Sequence, residues 1–257
     1  MTPTISPSVI AAFAPGGTLL ASINLGNPIL AHPDAGGAPA GVSVDLAHEF
    51  ARRLGVGIKL MVFEKAAASV EAVKNEKADL GFFAIDPARS EGLRFTEPYV
   101  LIEGSYLVAD ASPLTDNAAV DRAGQRIAVG SGSAYDLFLT REIKQAAIVR
   151  MTGASAVLAA LRDGQVEVAA GIRQLLEGEA QRAPGVSMLP GRFMVIQQAM
   201  GMPAGRGAEA HAVLAAFVEE MKSTGFVAAA LKRHRIEGAV VAPSQPADHS
   251  PQQQAHP

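Results

Sequence analysis

The chain has 257 residues, of which 49% are hydrophobic and 18% charged, with no cysteine and a formal net charge of −3. That balance describes a folded protein with room for one large α/β domain or two lobes of roughly 100–130 residues. It excludes disulfides, thiolate metal sites, a cysteine nucleophile and the basic footprint of a nucleic-acid binder. Gly, Pro or charge interrupts every apolar stretch before the ~20 residues that a membrane span needs, so no direct membrane insertion is expected. No basic cluster followed by an apolar run, the mark of a secretory leader, is visible in residues 1–21.

Short apolar runs alternate with amphipathic stretches, the pattern of βαβ units on a mostly parallel sheet. Residues 1–16 read as an N-terminal extension. Thr18–Asn24 reads as the first strand, and a Gly- and Pro-rich loop over 32–41 leads into a helix capped by Ser43 and ended by Gly55. A strand at 58–62, a helix from about 65 to 75 and a strand at 79–84 complete the core of one lobe. A crossing segment at 102–109 leads to a second set. Its strands lie at Arg126–Gly130, Ala147–Met151 and 166–170, with helices opening at Ser133 and spanning 154–163. Residues 193–201 cross back, and two helices follow at Ala208–Ser223 and 226–234. Lobe 1 is therefore expected to take 17–103 and 198–242, and lobe 2 to take 104–197. Residues 243–257, rich in Pro, Gln and His, read as a disordered tail.

Several runs share an order and spacing. They are Gly-Val-Ser-Val-Asp-Leu over 41–46, Lys-Ala-Asp-Leu over 77–80, then Arg89 followed by Phe-Thr-Glu-Pro-Tyr over 95–99. In the second half come Ile-Ala-Val-Gly-Ser-Gly-Ser over 127–133, Ala-Leu-Arg-Asp-Gly-Gln-Val-Glu over 160–167 and Gly-Met-Pro-Ala-Gly-Arg over 201–206. Together they resemble the family 3 extracellular solute-binding proteins, the polar amino-acid-binding type that serves ABC transporters, over nearly all of 17–239. The resemblance implies a type II periplasmic-binding-protein fold, with two α/β lobes joined by two hinge strands. It also implies a ligand held in the cleft, closure on binding, a periplasmic location and an ABC-transporter permease as partner. The lack of a visible leader keeps a cytosolic ligand-sensing protein open as the alternative. A monomer without cofactor or metal is expected.

Arg89 falls at the family's position for the arginine that grips a ligand carboxylate, and its planar donor fork suits that task. Loop arginines are otherwise solvated. Ser133 opens a helix, so its hydroxyl and the N–H groups of the first turn, Ala134 included, can receive an anion; the same serine can serve only as that helix's cap. Gly130 and Gly132 permit close backbone approach. Asn24 and Asn27 lie past the first strand's C-terminal end, where open α/β sheets bind ligands, although asparagine there also stabilises turns. Glu103 and Tyr106 at the first crossing, and Gln197 and Gln198 at the second, read as hinge residues. Asp45, Asp79, Phe95, Pro98 and Tyr99 read as structural.

Departures from the family pattern bear on the ligand. Where amino-acid-binding members carry an aspartate for the ligand's ammonium, this chain has Ile172, with Arg173 beside it. An unpaired ammonium in a closed cleft costs several kcal/mol, which disfavours a standard α-amino acid within the expected class of small anionic, carboxylate-bearing metabolites. Ala84, Ile85 and Asp86 stand where hydroxyl groups are expected, and Asp86 either supplies a replacement acid or caps the turn before Pro87. The same fold hosts a cyclohexadienyl dehydratase, so Glu103, Asp86 or Glu167 can be offered as a proton donor. His32, His48, His211 and His234 are scattered without metal-ligand spacing, and the expectation is binding rather than catalysis.

Overall fold

The computed structural model describes residues 5–244. In chain order the elements are α1 (Pro7–Phe13), β1 (Thr18–Asn24), β2 (His32–Pro33), β3 (Pro39–Ala40), α2 (Val42–Leu54), β4 (Gly57–Phe63), α3 (Ala66–Lys74), β5 (Leu80–Ala84), α4 (Pro87–Ser90), β6 (Leu93–Phe95) and β7 (Val100–Ala109). Then follow β8 (Arg126–Gly130), α5 (Ala134–Glu142), β9 (Ala147–Met151), α6 (Ala154–Arg162), β10 (Val168–Ile172), α7 (Arg173–Arg182), β11 (Val186–Met188), β12 (Met194–Pro203), α8 (Ala208–Ser223), α9 (Phe226–Arg233) and β13 (Val240–Val241).

The strands form one continuous path, β4-β1-β5-β12-β7-β10-β8-β9. β1 runs parallel to β4 and β5 in the first lobe, and β8 runs parallel to β9 and β10 in the second. Between them β7 and β12 pair antiparallel, Ile102 opposite Ile196 and Val100 opposite Gln198. Each of these two strands has ten residues, long enough to belong to both lobes. The expected architecture of two α/β lobes joined by two crossing strands therefore stands.

Packing explains the elements. Helix α2 presents Val42, Leu46, Ala47, Phe50 and Leu54 on one buried stripe, the spacing of an amphipathic helix, and ends at Gly55 with φ 69°. Phe50 meets Phe13 edge-on at 4.9 Å and Phe217 at 5.0 Å, which ties α1, α2 and α8 into one core. Thus seven of the residues assigned to an N-terminal extension form α1, whose first turn is closed by the Ser6 hydroxyl accepting from the Val9 N–H at 3.4 Å and whose Val9 and Phe13 are buried. In the second lobe Tyr106 stacks on Phe193 at 4.4 Å over one sheet face, while Val157, Leu161 and Leu176 cover the other.

Two expectations change, and one helix appears that the sequence did not announce. Ser43 does not cap α2: the cap is Gly41, and the Ser43 N–H is already satisfied by the Leu30 carbonyl at 3.0 Å. Gly41 has φ 121°, and a Cβ there would lie 2.4 Å from the Leu30 oxygen, so the approach of the 27–31 loop selects glycine. The strand expected at 166–170 is Val168–Ile172, two residues later, and helix α7 follows it with no loop. That helix escaped notice because its sequence, RQLLEGEAQR, buries only Leu176 and Glu179 and so has no apolar stripe to read. Of the tail assigned to 243–257, residues 245–257 lie outside the described residues.

Candidate functional site

The C-terminal ends of β1 and β5, the start of α5, the end of β10 and the middle of β12 converge on a cavity of about 60 Å³ between the lobes. Asn24, Asn27, Ala84 and Arg89 line it from the first lobe, Ser133, Ala134 and Ile172 from the second, and Gln198 from the crossing strand. These eight were all singled out from the sequence. Phe82, Phe83, Tyr135 and Ile196 also line it and were not. Tyr135 sits in the first turn after Ser133, and Ile196 and Gln198 are two residues apart on one strand face. Both were findable from helical and strand periodicity.

Arg89 is 6% exposed at the end of the short helix α4. Its Nη1 donates to the Ala84 carbonyl at 3.2 Å and its Nη2 to the Gly132 carbonyl of the opposite lobe at 3.0 Å. Burial pulls this guanidinium below the ordinary arginine value, and the nearby Asp86 carboxylate acts against that. Two neutral carbonyl oxygens do not neutralise a buried cation, so Arg89 keeps a strong attraction for an anion.

Asp86 and Gly132 do not line the cavity; they close it. Asp86 accepts from the Ala88 N–H at 2.9 Å as the cap of α4, and also receives Arg141 of α5 at 3.1 and 2.8 Å. The expected choice between a turn cap and a site acid thus resolves into a cap and an interlobe ion pair, with no hydrogen bond left pointing at the ligand space. Gly132 has φ 71°, donates its N–H to Asp136 at 2.8 Å, and approaches so near the first lobe that a Cβ would lie 3.2 Å from the Ala67 methyl. Ser133 accepts from the Asp136 N–H at 3.1 Å, the geometry of an N-cap, while its side chain also bonds the Tyr135 hydroxyl. Asn24 accepts from the Gly26 N–H at 2.9 Å, a turn contact made at the cavity wall.

Arg173 points elsewhere. Its Nε donates to Glu103 at 2.6 Å, Nη1 to Glu177 at 3.3 Å, and Nη2 to the Gly191 carbonyl. Among the expected hinge residues, Glu103 and Gln197 lie opposite Val195 and Leu101, on the strand face turned away from Ile196 and Gln198. Glu103 is held below the usual carboxylate range first by Arg192 and then by Arg173. Tyr106, expected at the hinge, is 3% exposed inside the second lobe's core, because its ring finds the Phe193 face. Gln198, expected at the hinge, is 6% exposed and borders the cavity.

A two-lobed α/β fold whose crossing strands frame a cleft with a buried arginine describes a protein that closes around a small solute. Residues 23–235 match the model of the bacterial extracellular solute-binding proteins, family 3, and the chain belongs to that family. Solved structures agree in fold. The solute receptor for L-cysteine of Neisseria gonorrhoeae is 24% identical, with a TM-score of 0.75 over 89% of this chain and 94% of that one. An amino acid ABC transporter substrate-binding protein from Streptococcus pneumoniae bound to L-arginine is 17% identical, with a TM-score of 0.72 over 88% and 97%. An ancestral amino-acid-binding protein described as a precursor of cyclohexadienyl dehydratase is 18% identical, with a TM-score of 0.72 over 87% and 98%. At such identities the likeness speaks for the fold alone. No curated protein sequence matches the chain. Among the described residues no helix is long and apolar enough to cross a membrane.

Proposed function

We propose that this solute-binding protein captures a small carboxylate-bearing metabolite through Arg89 and the α5 start, and presents it in the periplasm to the permease of an ABC transporter without altering it. The observation that carries the reading is a charge imbalance: among the described residues Arg89 is the one charged side chain lining the cavity, and no carboxylate lines it. A ligand carboxylate supplies the missing charge, and its contacts with both lobes favour the closed arrangement. The extracellular solute-binding family supports both the location and the transport role.

Among the described residues the dehydratase reading lacks an acid lining the cavity. Glu103 lies on the far face of the crossing strands and is kept ionised by two arginines. Glu167 is likewise kept ionised, by Arg126 at 2.6 Å, and Asp86 is committed to Arg141 and its own helix. A general acid must be protonated and must touch the reacting group. Calorimetric titration tests the binding reading directly: Arg89→Ala should lose about 2–5 kcal/mol of affinity for the ligand, with an unchanged circular dichroism spectrum. Retained affinity would remove Arg89 from the site. Prephenate incubated with the protein should be recovered unchanged.

A further inference from the structure

Beside Arg89 the cleft holds a second buried polar group whose capacity the protein does not meet. Gln198 is 6% exposed on the crossing strand β12 and lines the cavity. Its backbone carbonyl accepts from the Tyr99 N–H at 2.8 Å. Its side-chain amide makes no hydrogen bond among the described residues, yet neither amide atom is sealed from water. Gln198 differs in this from Asn27, whose Oδ1 is shut inside the wall. It differs too from Asn24, Ser133 and Tyr135, which hold Gly26, Asp136 and the Ser133–Gly130 turn as partners. An almost wholly buried amide left unpaired costs free energy until water or a ligand meets it.

Gln198 and Arg89 also converge on one residue. Gln198 lies opposite Ala84 in the ladder of β12 and β5, where directly opposed Cβ atoms are about 4.5–5.5 Å apart. The Arg89 Nη1 donates to the carbonyl of the same Ala84 at 3.2 Å. Ala84 itself lines the cavity and brings only a methyl group. A ligand whose carboxylate reaches Arg89 thus places its next atoms beside the Gln198 amide.

Resting on the carboxylate reading above, we propose that Gln198 is a specificity-determining residue of the cleft: it hydrogen-bonds the group next to the ligand's carboxylate and selects an uncharged oxygen there, that of a 2-oxo or 2-hydroxy acid, over the ammonium of an amino acid. An amide suits either oxygen, since its NH2 donates to a carbonyl and its own oxygen accepts from a hydroxyl. It carries no charge to offset an ammonium, and among the described residues no carboxylate lines the cavity to do so. The acids on the elements around the cleft are committed elsewhere, Asp86 to Arg141 at 2.8 Å and Asp136 to Arg150 at 3.0 Å.

The test is isothermal titration of the full chain, freed of any carried ligand by unfolding and refolding, with matched acids on several carbon skeletons. The skeletons are propionate, 4-methylpentanoate and 3-phenylpropionate, each taken bare and with a 2-oxo, 2-hydroxy or 2-amino group, so that comparisons within a skeleton are free of ligand size. On the skeleton that binds best, the 2-oxo or 2-hydroxy acid should bind at least about tenfold more tightly than the bare acid, the factor expected of one buried hydrogen bond, and more tightly than the amino acid. Gln198→Met, close in shape but without the amide, should bring the oxygen-bearing acid down to the bare one. Gln198→Glu should turn the preference within the skeleton toward the amino acid, even where the introduced carboxylate also pairs with Arg89 and weakens every acid alike. A merely structural glutamine would shift all the acids of a skeleton together in both variants, and the melting temperature of each variant checks folding. The proposal is overturned if, in the unmodified chain, the amino acid or the bare acid binds as tightly as the oxygen-bearing acid, or if Gln198→Met leaves the ratios unchanged. If no acid binds on any skeleton, or if Arg89→Ala leaves the best ligand's affinity unchanged, the carboxylate reading falls and this one with it. Amino acids that bind best while still requiring Arg89 sink this one alone.

Discussion

The two faces of the crossing strands β7 and β12 treat arginine in opposite ways. On the cavity face, near Ile196 and Gln198, Arg89 is 6% exposed and reaches only carbonyl oxygens of its own lobe and the opposite one. On the far face Arg173 and Arg192 share the Glu103 carboxylate, and Arg173 has Glu177 in addition. The far face is neutralised from within the protein and serves as scaffold. The cavity face gives its cation carbonyl oxygens but no carboxylate among the described residues. Residue type alone does not separate the two roles; the presence of a carboxylate across the strand does.

Substitutions that break this contrast should rank accordingly. The largest effect belongs to Arg89→Ala, at the 2–5 kcal/mol already given as an order-of-magnitude expectation for a desolvated charge pair, read in the binding isotherm. Next is the interlobe pair. Asp86→Asn or Arg141→Gln removes a bidentate contact that holds the lobes together without touching the cavity, and Arg141 is 40% exposed, so solvent screening tempers the effect. An affinity loss of about 1 kcal/mol is expected for either, together with a larger radius of gyration in small-angle scattering of the ligand-free protein. Equal scattering curves would show that the pair does not hold the closed form.

Smallest is Glu103→Gln, which should leave ligand affinity within about twofold and cost stability of order 0.5–1 kcal/mol, since the pair is partly solvated. The pH dependence gives this last change a signature. Because Glu103 is held below its ordinary 4.5, its contribution is complete above that value and is lost as pH falls through the lowered one. Denaturant unfolding between pH 6 and roughly pH 3 should therefore show a shallower loss of stability in Glu103→Gln than in the unmodified chain. Parallel curves would mean that Glu103 does not titrate against the two arginines.

Much of the fold was legible because its signals are local. Thr18–Asn24, Arg126–Gly130, Ala147–Met151 and Ala208–Ser223 were each read with the bounds the structure has, since buried strands and amphipathic helices write their burial as apolar runs and periods. Helix α7 is not legible, because its polar stretch, packed against β7 and β11, buries only Leu176 and Glu179 and so shows no apolar period. The position of Ser43 was read wrongly because cap preference is weaker than a tertiary partner: the Leu30 carbonyl, brought in by a distant loop, takes the N–H that a cap would have taken.

The site divides the same way. Arg89, Ser133 and Asn27 were legible by residue type and by their places after strand ends. The fates of Asp86 and Arg173 were not, because each depends on a partner 55 or 70 residues away in the chain.

The amino-acid order by itself determined the two-lobed α/β fold, the family, and the arginine, serine and asparagines that line the cavity, because backbone periodicity and turn chemistry act over a few residues. Only the tertiary structure decided which charges remain free. Asp86 went to Arg141, Arg173 went to Glu103, and among the described residues the cavity was left with Arg89 and no acid, because electrostatic neutralisation is a matter of distance in space, and the folded chain sets those distances.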